Sequence, residues 1–224
     1  MHGEKLQMDR NKKSMTPNEF LEIIKQAGKL KTTMRHCWMT LDSSDDDPAE
    51  SDRADQTDAR GPYRRESVAE HSWRLALMAM LLSGEEEFAA LDMNKVIRMC
   101  LIHDLGESFT GDIPAFLKSR DDTGTEIDIY REWVKRFPER QKQEWLDLLS
   151  EMEALETKEA KTYKALDKLE ALIAHNESDL ATWLPLEYDL QYTYGQENMA
   201  FSPFFTELRK AVDEWTADKI GDKQ

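Results

Sequence analysis

Residues 91–114 read LDMNKVIRMCLIHDLGESFTGDIP. Leu91-Asp92-Met93-Asn94 opens a helix, and Val96, Ile97, Cys100 and Leu101 recur at the spacing of one helical face. The helix ends at His103-Asp104, with Gly106 as its stop. Gly111-Asp112-Ile113-Pro114 is a tight turn into the next segment. An amphipathic helix that delivers two ligand-type side chains together at its end sets the expectation for the whole chain: helices packed round a polar centre.

Working outward, the pattern is helix after helix, with no convincing strand pair. Thr16, Pro17 and Glu19 form a helix start with a capping box, followed by Phe20, Ile23, Ile24 and Ala27 on one face. Ser67-Val68-Ala69-Glu70 is a second capping box, and it places His71 within the first two turns of a helix. Val68, His71, Leu75, Met78 and Leu82 share its apolar face. Pro138 separates helices expected over 125–137 and 139–155. Thr157 caps a long helix with Tyr163, Asp167, Ala171 and Ala174 on one side, and a last helix spans about Pro203 to Ala217. The fold class is therefore all-α: a single domain over 16–217 between short tails, 1–15 and 218–224.

Residues 42–61 differ in kind, with eight acidic residues, two Arg and no large apolar side chain. Such a stretch buries too little to offset its ordering entropy, so it reads as a mobile insertion. The formal net charge of −15 disfavours a nucleic-acid polymer as partner, while a few local cations still suffice for a small anion. Two cysteines without a paired spacing, no apolar leader and no apolar run of spanning length point to a reducing, cytoplasmic setting with no membrane.

Taken singly, each polar residue on an apolar face has an ordinary structural reading. Asp167 could simply pair with Lys164 or Lys168, and His103-Asp104 could be a helix terminus. Together, three separate helices bring His71, His103, Asp104 and Asp167 onto or beside their apolar faces. Burying several ionisable groups is costly unless they share a partner, and one divalent cation serves all four. Two His and two Asp suit Mn, Fe, Co or Zn, and leave an octahedral ion two open positions.

The order His71, His103-Asp104, Asp167 resembles the H…HD…D signature of HD-domain metal-dependent phosphohydrolases. Residues 103–114 are similar to the HD-x-x-E-x-x-x-G-D-[IL]-P segment of the 5′-deoxynucleotidase branch. Glu66-Ser67-Val68-Ala69-Glu70-His71-Ser72 resembles its E-S-V-A-E-H-S entry, and Glu159 through Glu170 its last ligand helix. The resemblance implies an HD helical bundle with the metal site between helices, and release of phosphate from a small nucleotide, a 2′-deoxyribonucleoside 5′-monophosphate. It implies one divalent metal on His71, His103, Asp104 and Asp167, acid/base work for Glu107, and a leaving-group or substrate contact for Asp112. Arg35 and Trp38 resemble the family's substrate-contacting R-x-x-W, Arg35 on phosphate and Trp38 on sugar or base. A homodimer is also implied by the resemblance, though no interface is visible in the residues. Two rival readings stay open. One is an HD phosphohydrolase acting on a triphosphate, cyclic nucleotide or alarmone. The other is a non-catalytic HD module.

Overall fold

The computed structural model describes residues 14–40, 59–60 and 62–221. Its helices are α1 (Pro17–Ala27), α2 (Val68–Leu82), α3 (Met93–Ile102), α4 (Glu107–Thr110), α5 (Arg120–Val134), α6 (Glu139–Ala154), α7 (Lys158–Glu177), α8 (Glu187–Thr193) and α9 (Pro203–Gly221). The all-α expectation holds. Among the described residues no helix is long and apolar enough to cross a membrane. The expected insertion over 42–61 lies outside the described residues apart from Ala59–Arg60, as does most of the expected tail over 1–15.

The helix starts are where local chemistry puts them. Thr16 and Ser67 both complete reciprocal capping boxes, with Glu19 and Glu70. Asp92 and Thr157 each accept the N–H three residues on, from Lys95 and Ala160. At the centre lies α7, buried round most of its circumference from Ala160 to Asn176, as suits a helix surrounded by others. Against it pack α2 and α3, closing a core that includes Leu75, Ala79, Val96, Met99, Leu166 and Leu169, each no more than 1% exposed. A fully buried side chain of this size contributes about 1.5–3 kcal/mol.

Three expectations need correction. A small antiparallel sheet exists, in the order β1 (Met34–Thr40), β3 (Tyr63–Ser67), β2 (Ala59–Arg60). Trp38 pairs with Arg65 and Thr40 with Tyr63, with an irregularity between Met34 and Trp38. The sequence hides the pair because β1 and β3 are not neighbours along the chain and no short turn joins them. Helix α5 begins at Arg120, capped by Ser119 with Asp122, so Gly124 lies inside it. Helix α9 continues to Gly221 rather than stopping near Ala217, since no helix breaker precedes that glycine. In α1 no residue is fully buried, and Phe20 and Ile24 are half exposed, so only Ile23 and Ala27 of its apolar face reach the core. Helix α8 carries too few apolar repeats to be legible in advance.

Candidate metal centre

Three helices build the centre. The capping box at Ser67 fixes the start of α2, and His71 follows one turn later, fully buried. His103 and Asp104 sit where α3 ends, and Asp167 lies midway along α7. His71 Nε2 is 3.2 Å from His103 Nε2, 3.4 Å from Asp167 Oδ1 and 3.8 Å from Asp104 Oδ2. His103 Nε2 is 2.9 Å from Asp104 Oδ2 and 3.7 Å from Asp167 Oδ1. Ligand atoms held about 2.1 Å from one ion stand about 3.0 Å apart at octahedral and about 3.4 Å at tetrahedral angles. His71, His103 and Asp104 thus offer ligand atoms within 4.8 Å of one another, a set that could hold a divalent ion, and Asp167 Oδ1 lies beside both imidazoles.

Each imidazole is turned the right way. His103 Nδ1 lies 2.8 Å from the Cys100 carbonyl, which can only accept, so Nδ1 carries the proton and Nε2 faces the centre. His71 Nδ1 meets Glu170 in a very short contact, with the same consequence. The charges agree. Burial opposes a charge on His103, but Asp104 and Asp167 outweigh it and lift its pKa to about 10. Burial likewise disfavours the charged Asp104 and Asp167, yet imidazoles and, for Asp167, Lys164 and Lys168 hold both carboxyls well below their ordinary range. Protons on the imidazoles balance the carboxylates here, and a divalent cation can replace them.

Asp167 reconciles both readings of itself. Its Oδ2 takes Lys164 Nζ at 2.8 Å, with Lys168 Nζ at 3.6 Å, while Oδ1 turns to the imidazoles. Lys168 is held in place by the Tyr194 hydroxyl at 2.6 Å. Gly195, with φ +68°, is needed there, because a Cβ would come within 2.6 Å of the Lys168 Cβ.

Glu107 opens α4, 5% exposed, and its Oε2 is buried without a hydrogen-bond partner among the described residues. Burial, reinforced by Asp104, Asp112 and Glu126, pushes its pKa up to about 11. Gly111, at φ +80° and ψ 165°, adopts a conformation open essentially to glycine alone. That turn brings Asp112 back to hydrogen-bond Glu107, within the fields of Arg35 and Lys118. Lys118 Nζ bridges Glu126 at 2.6 Å and approaches Glu107 at 3.8 Å.

Arg35, on β1, donates from one nitrogen, Nη1, to Glu66 at 2.7 Å and Glu170 at 3.1 Å. Trp38 is buried with the Arg65 guanidinium 5.0 Å over its ring, a contact that belongs to the sheet rather than to the acid cluster. Of the eight residues singled out in sequence, seven thus gather about one centre, and Trp38 stands beside them on the same strand. The sequence reading assigned no role to Glu66, Arg74, Glu170 or Lys118. Glu66 and Glu170 do fall within the quoted motifs, one residue before a capping box and one turn after Asp167. Glu66, His71 and Glu170 form a second cluster of ligand-type atoms. Arg35 and Arg74 already occupy its charge, with Arg74 Nε 2.7 Å from Glu170, which disfavours a cation there.

Comparison with known proteins follows the same lines. A family model described as HD domain matches residues 53–209. The chain is 30% identical over 162 residues to a Dictyostelium discoideum protein named 5′-deoxynucleotidase HDDC2, covering 70% of this chain and 75% of that one. It is 27% identical over 159 residues to the Homo sapiens protein of the same name, covering 70% and 67%. A Saccharomyces cerevisiae protein, 5′-deoxynucleotidase YBR242W, is 28% identical over 173 residues, covering 71% and 64%. Among solved structures, a predicted metal-dependent phosphohydrolase from Magnetospirillum magnetotacticum MS-1 superposes with a TM-score of 0.67 at 28% identity, covering 90% of this chain and 93% of that one.

Proposed function

The chain belongs to the HD domain family, and from that premise we propose that it is a divalent-metal-dependent phosphohydrolase removing the 5′-phosphate from (deoxy)ribonucleoside monophosphates. The observation that carries this reading is the convergence of His71, His103, Asp104 and Asp167 beside a buried acid, Glu107, whose Oε2 has no hydrogen-bond partner among the described residues. The 5′-deoxynucleotidase names of several relatives supply the substrate class.

A divalent ion, when bound, lowers the pKa of a water and polarises a phosphoryl oxygen. His71, His103, Asp104 and Asp167 would hold it, and the mixed N/O set suits Mn²⁺, Co²⁺, Fe²⁺ or Zn²⁺. The chain's own groups do the rest. Glu107, protonated at rest, hands its proton to Asp112 and takes that of the attacking water in its place. Asp112, hydrogen-bonded to Glu107, relays a proton to the leaving 5′-oxygen, so that water and phosphomonoester become nucleoside and phosphate. Arg35, anchored by Nη1 alone, presents the remainder of its fork to the phosphate. Trp38, held beneath Arg65, forms an apolar wall for sugar or base.

A phosphate-release screen of mono-, di- and triphosphates, ribo and deoxy, tests this with several metals. Deoxynucleoside monophosphates should be cleaved with Mn²⁺ or Co²⁺, and chelation should stop the reaction. His103→Ala and Asp167→Ala should lose metal and turnover together. An active, metal-free His103→Ala protein, or cleavage confined to triphosphates, would overturn the assignment.

A further inference from the structure

Glu170 lies in α7, one turn beyond Asp167, and is fully buried. Three cationic or protonated groups from two other elements converge on its two oxygens. Oε2 takes His71 Nδ1 in a very short contact and Arg35 Nη1 at 3.1 Å. Oε1 takes Arg74 Nε at 2.7 Å, with Arg74 Nη2 at 2.6 Å. Glu66 closes the group, bonding Arg35 at 2.7 Å and standing 3.9 Å from Arg74. A carboxylate desolvated this far is kept only where such partners compensate it.

We propose that Glu170 is a positioning residue serving both halves of the site: it holds His71 in the tautomer that turns Nε2 to the ion, and it anchors the Arg35 guanidinium that meets the phosphate. The inference rests on the function proposed above. The physical case is that one acceptor fixes two donors. Its hold on Nδ1–H leaves Nε2 as the free lone pair and raises the imidazole's basicity. The same oxygen fixes one arm of Arg35, so the fork loses little entropy when phosphate arrives. Ion site and phosphate clamp then share one buried carboxylate. A residue that only neutralised arginines in the core would leave metal affinity untouched.

Glu170→Gln tests this. The amide has the same shape but one acceptor oxygen where three donors converge. Mn²⁺ titration of the metal-stripped protein, with no substrate present, should show binding weakened by about 10–100-fold. Glu66→Gln is the control: it loosens Arg35 while sparing the bond to His71, so its Mn²⁺ affinity should stay close to that of the unaltered protein. Inorganic phosphate should also bind Mn²⁺-saturated Glu170→Gln more weakly. Mn²⁺ affinity unchanged in Glu170→Gln overturns the proposal, and unchanged phosphate affinity removes its Arg35 half. Should the variant fail to fold, ¹⁵N spectra of the unaltered protein loaded with Zn²⁺ decide. His71 must show a protonated Nδ1 and a metal-bound Nε2, and coordination through Nδ1 overturns the proposal. If the unaltered protein binds no divalent ion at all, the proposed function itself falls, a result distinct from the others.

Discussion

Glu107 shows what one residue's surroundings can do to its chemistry. Its carboxyl is buried at the first turn of α4 with one oxygen lacking a partner among the described residues, and neighbouring acids help burial keep it protonated. Such an orphaned group is costly for stability, and its tolerance suggests work in the reaction. Glu107→Gln keeps the shape and removes the carboxyl that gives up one proton and takes another. It should lower kcat by about 10²–10⁴-fold while metal content, read by atomic emission after dialysis, stays as before. The two cysteines show the reverse case. Burial pushes Cys37 up to about 12, although Arg35 pulls the other way, and Cys100 is raised as well. Neither thiol should react appreciably with a disulfide reagent at pH 8 in the folded protein, whereas both should react in urea. Rapid modification of Cys37, which is half-buried where Cys100 is fully buried, would contradict its raised pKa.

At the scale of elements, what matters is how β1 is held. It carries Arg35, and it is tied to the helices by Glu187 at the start of α8. Glu187 is 2.8 Å from His36 Nε2 on β1 and 3.4 Å from His175 Nε2 on α7, and it accepts from the Leu184 N–H at 2.6 Å. Burial opposes its ionisation, but His175, His36 and the Leu184 N–H lower its pKa from the ordinary 4.5 to about 2. A depressed carboxyl pKa stabilises the fold fully above its unfolded value and ceases to do so as pH falls through the folded one. Glu187→Gln should therefore destabilise the fold above pH 4.5. In urea melts the gap to the unaltered protein should narrow steadily between pH 4.5 and 2. A gap independent of pH would show that the carboxylate's charge contributes nothing. The core element responds differently: Leu75→Ala, at a fully buried site on α2, should cost about 2–5 kcal/mol through cavity formation.

For the molecule as a whole, the centre joins α2, α3 and α7, the three helices that form the heart of the core. An ion bound there ties them together and binds the folded chain alone. At a hundred times its Kd it should add about 2.7 kcal/mol, which for a chain of this size means a Tm higher by about 5–10 °C. Differential scanning calorimetry with Mn²⁺ and with a chelator measures the shift, and identical melts would argue against a shared ion. Much of this architecture was written locally. The capping boxes at Thr16 and Ser67, the apolar repeats of α2 and α3 and the ordered set His71, His103-Asp104, Asp167 are patterns within short windows. A helix bonds residues four apart, so its grammar is visible in such windows. That much, with the all-α class, the sequence determined by itself. The pairing of β1 with β3 and the place of Glu170 were decided only in three dimensions. His71 and Glu170 are 99 positions apart, and Arg35 and Glu170 are 135. No periodicity links such positions. They meet because the packing of α2 and β1 on α7 leaves buried charges that only one another can satisfy.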